Sequence, residues 1–148
     1  MTEQLDSPLA GVKVVEITSI YSGPMAGMML AELGAQVTKV ESPNGPDPVR
    51  SQGLGGTADG VNSTFYSLNR GKRFCSIDAK TSRGKELLFE LVANADVFIH
   101  NMRPGKAEGL GLDYESLSLA NPRIIYGAIT GHGPEGPEAH LPAYDYVV

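Results

Sequence analysis

The sequence predicts an α/β fold built on a doubly wound, mainly parallel sheet. Two observations favour this class. Short runs rich in β-branched residues alternate with stretches of helical periodicity along most of the 148 residues. The first three such segments also form a strand–helix–strand unit within about thirty residues, and strands joined by a helical crossover lie parallel.

The first unit opens with VKVVEIT at 12–18, a β-rich run that predicts a buried strand. The following stretch, SGPMAGMMLAELGA, spaces its apolar residues as in a helix, and Gly34 suits the helix end. QVTKVES at 36–42 predicts the second strand. Residues 44–62 are rich in Gly and Pro and predict a long loop, a length typical of functional or mobile segments.

The run RFCSID at 73–78 predicts a third strand. Thr81 or Ser82 is a candidate cap for the helix that follows, RGKELLFELVANA, whose leucines recur at helical spacing. This helix is the next crossover of the sheet.

Two further runs complete the sheet. DVFIHN at 96–101 and RIIYGAIT at 123–130 predict the fourth and fifth strands, with a short helix at 114–119 between them. We therefore expect residues 1–148 to form a single Rossmann-like region. The final run, PAYDYVV, stops among apolar residues, so we expect the chain to be part of a longer one.

Composition disfavours several functional classes. Seventeen acidic residues outnumber 12 basic ones and no basic stripe occurs, which argues against a nucleic-acid partner. Cys75 is the one cysteine, which fits a reducing compartment. Because no signal pattern and no apolar run of about 18 residues occurs, we expect a cytoplasmic protein without a membrane partner. The three histidines lack metal-ligand spacing, so no metal site is predicted.

The sites of such folds lie at the carboxyl ends of the strands. Here Lys80 and Arg103 follow the predicted third and fourth strands and would give that rim positive charge. The segment SLNRGKRFCSIDAK at 67–80 concentrates further basic residues in an acidic chain. Neither the phosphate-loop pattern nor G-x-G-x-x-G occurs after a strand, which disfavours ordinary ATP or NAD binding. The residues alone indicate an anion-binding α/β domain.

The ordered motifs go further, since they resemble the family III CoA-transferases, the group that includes formyl-CoA transferase, carnitine CoA-transferase and α-methylacyl-CoA racemase. The matching stretches stand in family order and cover nearly the whole sequence: PLAGVKVVEIT, SGPMAGMMLAELGAQVTKVESPNGPDPVR, SLNRGKRFCSIDAKTSRGKELLFELVANADVFIHNMRPG, LGLDYESLSLANPRIIYGAITGHGPEGP and PAYDYVV.

The resemblance implies that the anion is coenzyme A, bound as a substrate with no permanently held cofactor. Lys80 and Arg103 are its expected phosphate partners, because long cationic side chains make charge-assisted hydrogen bonds. Lys72 and Arg73 either assist them or belong to a solvated strand entrance. The implied CoA-binding positions are Ile20, Tyr21, Ile77, Asp78, Ala79, Lys80, Asn101, Met102, Arg103, Tyr144 and Asp145.

Two positions depart from the family pattern. Gly109 stands where many members carry an arginine, so that phosphate contact is either missing or supplied by Lys106. Ser42 and Pro43 supply no cation where some members have arginine.

In the transferases an aspartate attacks the acyl-CoA carbonyl, and covalent catalysis divides the transfer into easier steps. The resemblance places that aspartate in a Gly-Asp motif beyond Val148. Asp145 is not its equivalent, so no catalytic residue is assigned within 1–148. The implied partners are an acyl-CoA, a carboxylic acid and a second copy of the protein in a homodimer.

Two alternatives to the transferase remain open. A 2-methylacyl-CoA racemase uses a histidine at the position of Tyr144, and a phenol with a pKa near 10 is a poor base at neutral pH. That substitution favours the transferase. The other alternative is a truncated, catalytically inactive CoA-binding module.

Overall fold

The computed structural model describes residues 7–52 and 60–143, and within them five strands form one sheet. The order across the sheet is β3-β2-β1-β4-β5 and every neighbouring pair is parallel, which confirms the predicted α/β class. The strands are Lys13–Ile17 (β1), Gln36–Glu41 (β2), Arg73–Ser76 (β3), Val97–His100 (β4) and Ile125–Ala128 (β5).

Helices form the connections between the strands. No helix in the described ranges is long and apolar enough to cross a membrane. The α-helices are Ser22–Glu32 (α1), Ser63–Asn69 (α2), Ser82–Ala93 (α3), Lys106–Leu110 (α4) and Tyr114–Ala120 (α5), with a 3-10 turn at Pro48–Arg50.

Two of these helices are absent from the sequence-based prediction. α2 has only seven residues and carries Phe65 and Tyr66, residue types that favour strands. The sequence therefore indicates this helix through its N-terminal capping residue and not through helical periodicity. That cap is Asn62, whose side chain accepts a hydrogen bond from the Thr64 amide. α4 has only five residues between Gly105 and Gly111, too few to show a helical period.

Apolar side chains cover both faces of the sheet. On one face Val15 and Phe98 pack with Leu88 and Val92 of α3 and with Leu117 of α5. A smaller cluster of Val14, Ala35, Val37 and Ile99 packs against apolar residues of α1. This arrangement confirms the doubly wound layers, and Thr81 caps α3 as predicted by accepting a hydrogen bond from the Gly84 amide.

Helix α1 approaches β1 unusually closely through two glycines. A Cβ on Gly23 would overlap the side chain of Thr18, and one on Gly27 would overlap the carboxylate of Glu16. The spacing of these glycines, which does not match a dinucleotide fingerprint, therefore serves helix–strand packing. As a result the larger residues Met25 and Met29 point outward and are half exposed.

We predict that Gly27→Ala lowers the free energy of unfolding by about 1–3 kcal/mol, the usual cost of overpacking. The added methyl group would meet Glu16 and lie 3.1 Å from Nζ of Lys72, and both groups are fully buried in an ion pair that a shift would disturb. The urea unfolding midpoint measures the change.

Gly109→Ala is the matched control, because Gly109 lies in α4 and no atom lies within 4 Å of its added Cβ. We expect it to change stability by less than about 1 kcal/mol, in the stabilising direction. Equal destabilisation by the two substitutions would contradict the packing argument.

Candidate functional site

A cleft of about 1310 Å³ lies at the carboxyl ends of the strands. This volume exceeds the roughly 300–1,000 Å³ of common ligand pockets, so the cleft has room for a large ligand. Tyr144 and Asp145, also predicted for the site, lie outside the described residues. The other nine predicted residues all line the cleft: Ile20, Tyr21, Ile77, Asp78, Ala79, Lys80, Asn101, Met102 and Arg103.

The turn between β1 and α1 forms one wall of the cleft. Ile20 has a φ of +71°, a left-handed conformation that β-branched residues rarely adopt. The carboxamide of Asn101 holds the preceding residue at both backbone groups, since it accepts from the Ser19 amide at 2.9 Å and donates to the Ser19 carbonyl at 2.8 Å. The ends of β1 and β4 are thereby joined at the rim.

Behind this turn lies a cluster of buried charges. Lys39 of β2 donates to Oδ2 of Asp47 at 2.7 Å and lies 3.8 Å from Oε1 of Glu16. Nζ of Lys72 lies 3.0 Å from Oε1 of Glu16, to which it donates a hydrogen bond, and 2.9 Å from Oε2. The Oε2 atom pairs with Lys72 by charge but accepts no hydrogen bond of suitable angle. Two ammonium groups thus face two carboxylates, which compensates the cost of burying each charge.

The structure corrects the proposed role of Lys72 as an anion partner or solvated residue. Its side chain is fully buried beneath α1, where Nζ also donates to the Pro24 carbonyl and to Asn69. Burial lowers the pKa of Lys72, and Glu16 partly opposes that shift. Lys72 therefore belongs to the packing of the sheet and not to the cleft.

The basic stretch at 67–80 divides between different surfaces. Arg70 pairs with Glu32 of α1, and Arg73 is exposed at the start of β3, the end of the strand opposite the cleft. Lys80 alone of this group lines the cleft. The clustering in sequence is therefore not a clustering in space.

Three cationic side chains reach the cleft: Lys80, Arg103 and Lys106. All three are exposed and make no ion pair with any residue of 7–52 or 60–143. Unpaired, solvated cations keep their charge available to an anionic ligand. Lys106 thus supplies positive charge to the cleft three residues before Gly109, the position where many members of the family carry an arginine.

The loop that presents Lys80 is fixed by Asp78. One oxygen of Asp78 accepts the Lys80 amide at 3.0 Å, and the other accepts the Asn44 carboxamide at 3.2 Å. Asp78 therefore shapes the loop after β3, and its carboxylate is already engaged.

The inner wall of the cleft is apolar. Leu88, Leu110 and Leu112 line it, together with the predicted residues Ile77 and Met102. The cleft accordingly combines an apolar wall with a cationic mouth, a combination suited to an amphipathic anion.

A hydrogen-bond chain beneath Met102 fixes the loop after β4. Nδ1 of His100 accepts the Met102 amide at 3.1 Å, so the ring proton lies on Nε2. Nε2 donates to the Tyr126 hydroxyl at 2.8 Å, and that hydroxyl donates to the Leu112 carbonyl at 3.1 Å. Burial lowers the pKa of His100 against an opposing effect of Glu108, which favours the neutral ring that this chain requires.

The same surroundings affect Tyr126. Burial, reinforced by nearby carboxylates, raises the pKa of Tyr126 to about 12. The hydroxyl therefore stays protonated near neutral pH and works as a donor, which suits support of the loop rather than proton transfer.

Glu41 lines the cleft at the end of β2, but it is not a free base. Burial raises the pKa of Glu41, yet hydrogen bonds from Arg50 and the Asp47 amide outweigh burial and hold the pKa below its usual value. The Arg50 guanidinium in turn lies 4.0 Å from the centre of the Phe65 ring.

Sequence reasoning missed Asp47 and did not identify the hydrogen-bond partners of His100. A signal for Asp47 exists, since Asp before Pro is a common start of a helical turn, and its side chain accepts from the Val49 amide. No comparable signal exists for His100, because Tyr126 reaches it only through strand pairing.

Comparison with known proteins agrees with this geometry. The profile of the family described as CoA-transferase family III matches residues 9–148. The chain belongs to CoA-transferase family III. This confirms the resemblance read from the ordered motifs.

Individual relatives support the family assignment. A succinate–glutarate CoA-transferase of Agrobacterium fabrum is 45% identical over 95% of this chain, and a human succinyl-CoA:glutarate CoA-transferase is 42% identical over 95%. The matches cover 36% and 32% of those relatives, so the chain spans about a third of their length. A solved CAIB/BAIF family protein from Brucella suis superposes with a TM-score of 0.88 at 45% identity, over 96% of this chain and 38% of that one.

We predict that stability falls as pH decreases below about 6.5, the ordinary histidine pKa. The unfolded chain gains a proton on His100 in that range while the folded chain, with its lowered pKa, does not, so protons favour unfolding. His100→Asn removes this part of the pH dependence. Urea unfolding between about pH 7.5 and 5.5 measures it.

His140→Asn is the control, since His140 is exposed and lies outside the hydrogen-bond chain. The stability of His140→Asn should still fall as pH decreases below about 6.5. A pH dependence that survives in His100→Asn would show that His100 is not the responsible group.

Proposed function

We propose that the cleft binds coenzyme A and that the protein transfers CoA between carboxylic acids. The observation that carries this proposal is the convergence of an apolar wall with Lys80, Arg103 and Lys106 on one rim of a family III sheet. The pantetheine arm is amphipathic, whereas the 3′-phosphate and pyrophosphate carry the negative charge. Each half of the cleft therefore has a matching half of the ligand.

The predicted contacts divide accordingly. Lys80 and Arg103 are proposed to bind phosphate oxygens, with Lys106 in place of the arginine absent at Gly109. Ile20, Tyr21, Ile77, Ala79, Asn101 and Met102 are proposed to contact the rest of the molecule, and Tyr144 and Asp145 to lie near the thioester. Asp78 belongs to the same predicted set. We propose that it contributes to binding indirectly, because its carboxylate accepts hydrogen bonds from Asn44 and the Lys80 amide and so fixes the loop that carries Lys80.

For the reaction we propose an aspartyl intermediate, as in family III transferases. A carboxylate attacks the thioester carbonyl, the C–S bond breaks, and CoA thiolate leaves behind a mixed anhydride. The thiolate then attacks the aspartyl carbonyl, which releases the donor acid and forms an aspartyl thioester. The acceptor acid attacks that thioester, which expels CoA thiolate and forms a second mixed anhydride. The thiolate finally attacks the acceptor carbonyl of this anhydride, which gives the new acyl-CoA and releases the aspartate. The aspartate is proposed to lie beyond Val148, and this chain supplies the CoA-binding cleft.

Short dicarboxylic acids are the first substrates to test, because two of the relatives are named for succinate or succinyl-CoA and glutarate. The complete gene product is incubated with succinyl-CoA and glutarate, and glutaryl-CoA is measured. A covalent adduct sensitive to hydroxylamine is expected with acyl-CoA alone. Solvent deuterium at the α-carbon without CoA transfer would favour a racemase, and CoA binding with neither reaction would favour an inactive binding module.

We predict that Lys80→Ala weakens CoA binding about tenfold, the usual value of a charge-assisted hydrogen bond. The loss shrinks as salt rises, because the interaction is exposed and screened. Isothermal titration calorimetry at low and high salt measures both effects.

Arg73→Ala is the matched control, since it removes a cation from the same basic stretch but at the opposite end of β3. It should change the affinity by less than about twofold. Equal losses in the two variants would overturn the placement of the phosphates at this rim.

A further inference from the structure

The turn between β1 and α1 is held in its strained conformation by a residue outside the predicted site. Ile20 keeps a φ of +71° although a β-branched side chain disfavours it. Strain of this kind persists only where neighbouring contacts impose it. The contact that reaches the Ile20 amide is Oδ1 of Asp47, at 3.1 Å.

Asp47 is itself fixed on several sides. Its side chain is almost fully buried, Oδ1 also accepts the Val49 amide at 3.1 Å, and Oδ2 accepts Nζ of Lys39 at 2.7 Å. Its own amide donates to Oε1 of Glu41 at 3.0 Å. Asp47 thus cannot turn away from Ile20 without breaking its 2.7 Å ion pair with the buried ammonium of Lys39.

Asp47 borders the cleft, but the chemistry of the site disfavours direct contact with the ligand. A carboxylate repels phosphate, and both oxygens of Asp47 are already occupied by donors of the protein. Its influence on the cleft therefore passes through the backbone of Ile20.

We propose that Asp47 is a positioning residue for coenzyme A binding, because it holds the Ile20 turn in the left-handed conformation that forms one wall of the cleft. The inference rests on the proposed function of the cleft. It assigns a role in binding to a residue outside the set predicted for the site.

A double-mutant cycle on the complete gene product tests the inference. Asp47→Ala should weaken CoA binding about tenfold in the native background, because the strained turn loses its acceptor. In an Ile20→Gly background the same change should cost less than about threefold, since glycine adopts positive φ freely. Any loss of side-chain contact from Ile20→Gly cancels in the cycle.

An equal loss in both backgrounds overturns the inference, because a merely structural defect, such as the loss of the Lys39–Asp47 ion pair, does not depend on residue 20. Asp47→Asn is the second variant. It keeps an oxygen for the Ile20 amide but loses the ion pair, so affinity close to the native value supports positioning, and a full tenfold loss contradicts it. If Asp47→Ala does not fold, the CoA affinity of Asp47→Asn alone decides whether Asp47 positions the turn.

Amide hydrogen exchange without ligand separates this inference from the proposed function. The Ile20 amide should exchange about tenfold faster in Asp47→Ala, which has lost the acceptor, than in the native protein, and at close to the native rate in Asp47→Asn, which keeps an acceptor oxygen. Equal exchange in the native protein and Asp47→Ala contradicts the geometry. If the native protein binds no CoA, the proposed function fails. If it binds CoA while the cycle shows no coupling, only the role of Asp47 fails.

Discussion

The buried ion pair between Glu16 and Lys72 is the interaction on which the arrangement of the site depends. Both side chains are fully shielded from solvent, and removing one partner of such a pair typically costs about 3–5 kcal/mol. The pair occupies the space that a side chain at position 27 would need, so Gly27 brings α1 close against β1. The position of α1 in turn determines where the preceding turn, with Ile20, enters the cleft.

The second half of the charge cluster extends this constraint to the rim. Lys39 lies near Glu16 and pairs with Asp47, whose other oxygen reaches the Ile20 amide. Across the sheet, Asn101 secures Ser19 from the end of β4. The cleft wall is therefore held from two strands, which fixes its shape before any ligand binds.

Much of this architecture was predictable from sequence, because the five strands, their parallel direction and the residues that follow them at the rim come from local patterns and from the rules of parallel sheets. Thr81 as a cap and Lys80 at the cleft are examples. The role of Lys72 was not predictable, since lysines are usually exposed and its partner Glu16 lies 56 residues away in sequence. The hydrogen-bond partner of His100 was not predictable for the same reason, because Tyr126 is brought near it by strand pairing alone.

The proposed function requires coenzyme A to bind at the rim of this sheet. Hydrogen–deuterium exchange of the complete gene product, with and without CoA, tests this requirement on the unsubstituted protein, because bound ligand slows amide exchange where it binds. We expect CoA to slow exchange in the three loops at 18–21, 77–80 and 101–104 and to leave exchange unchanged at the opposite edge of the sheet, near Lys13 and Arg123. If saturating CoA leaves exchange in those three loops unchanged, coenzyme A does not bind at this rim.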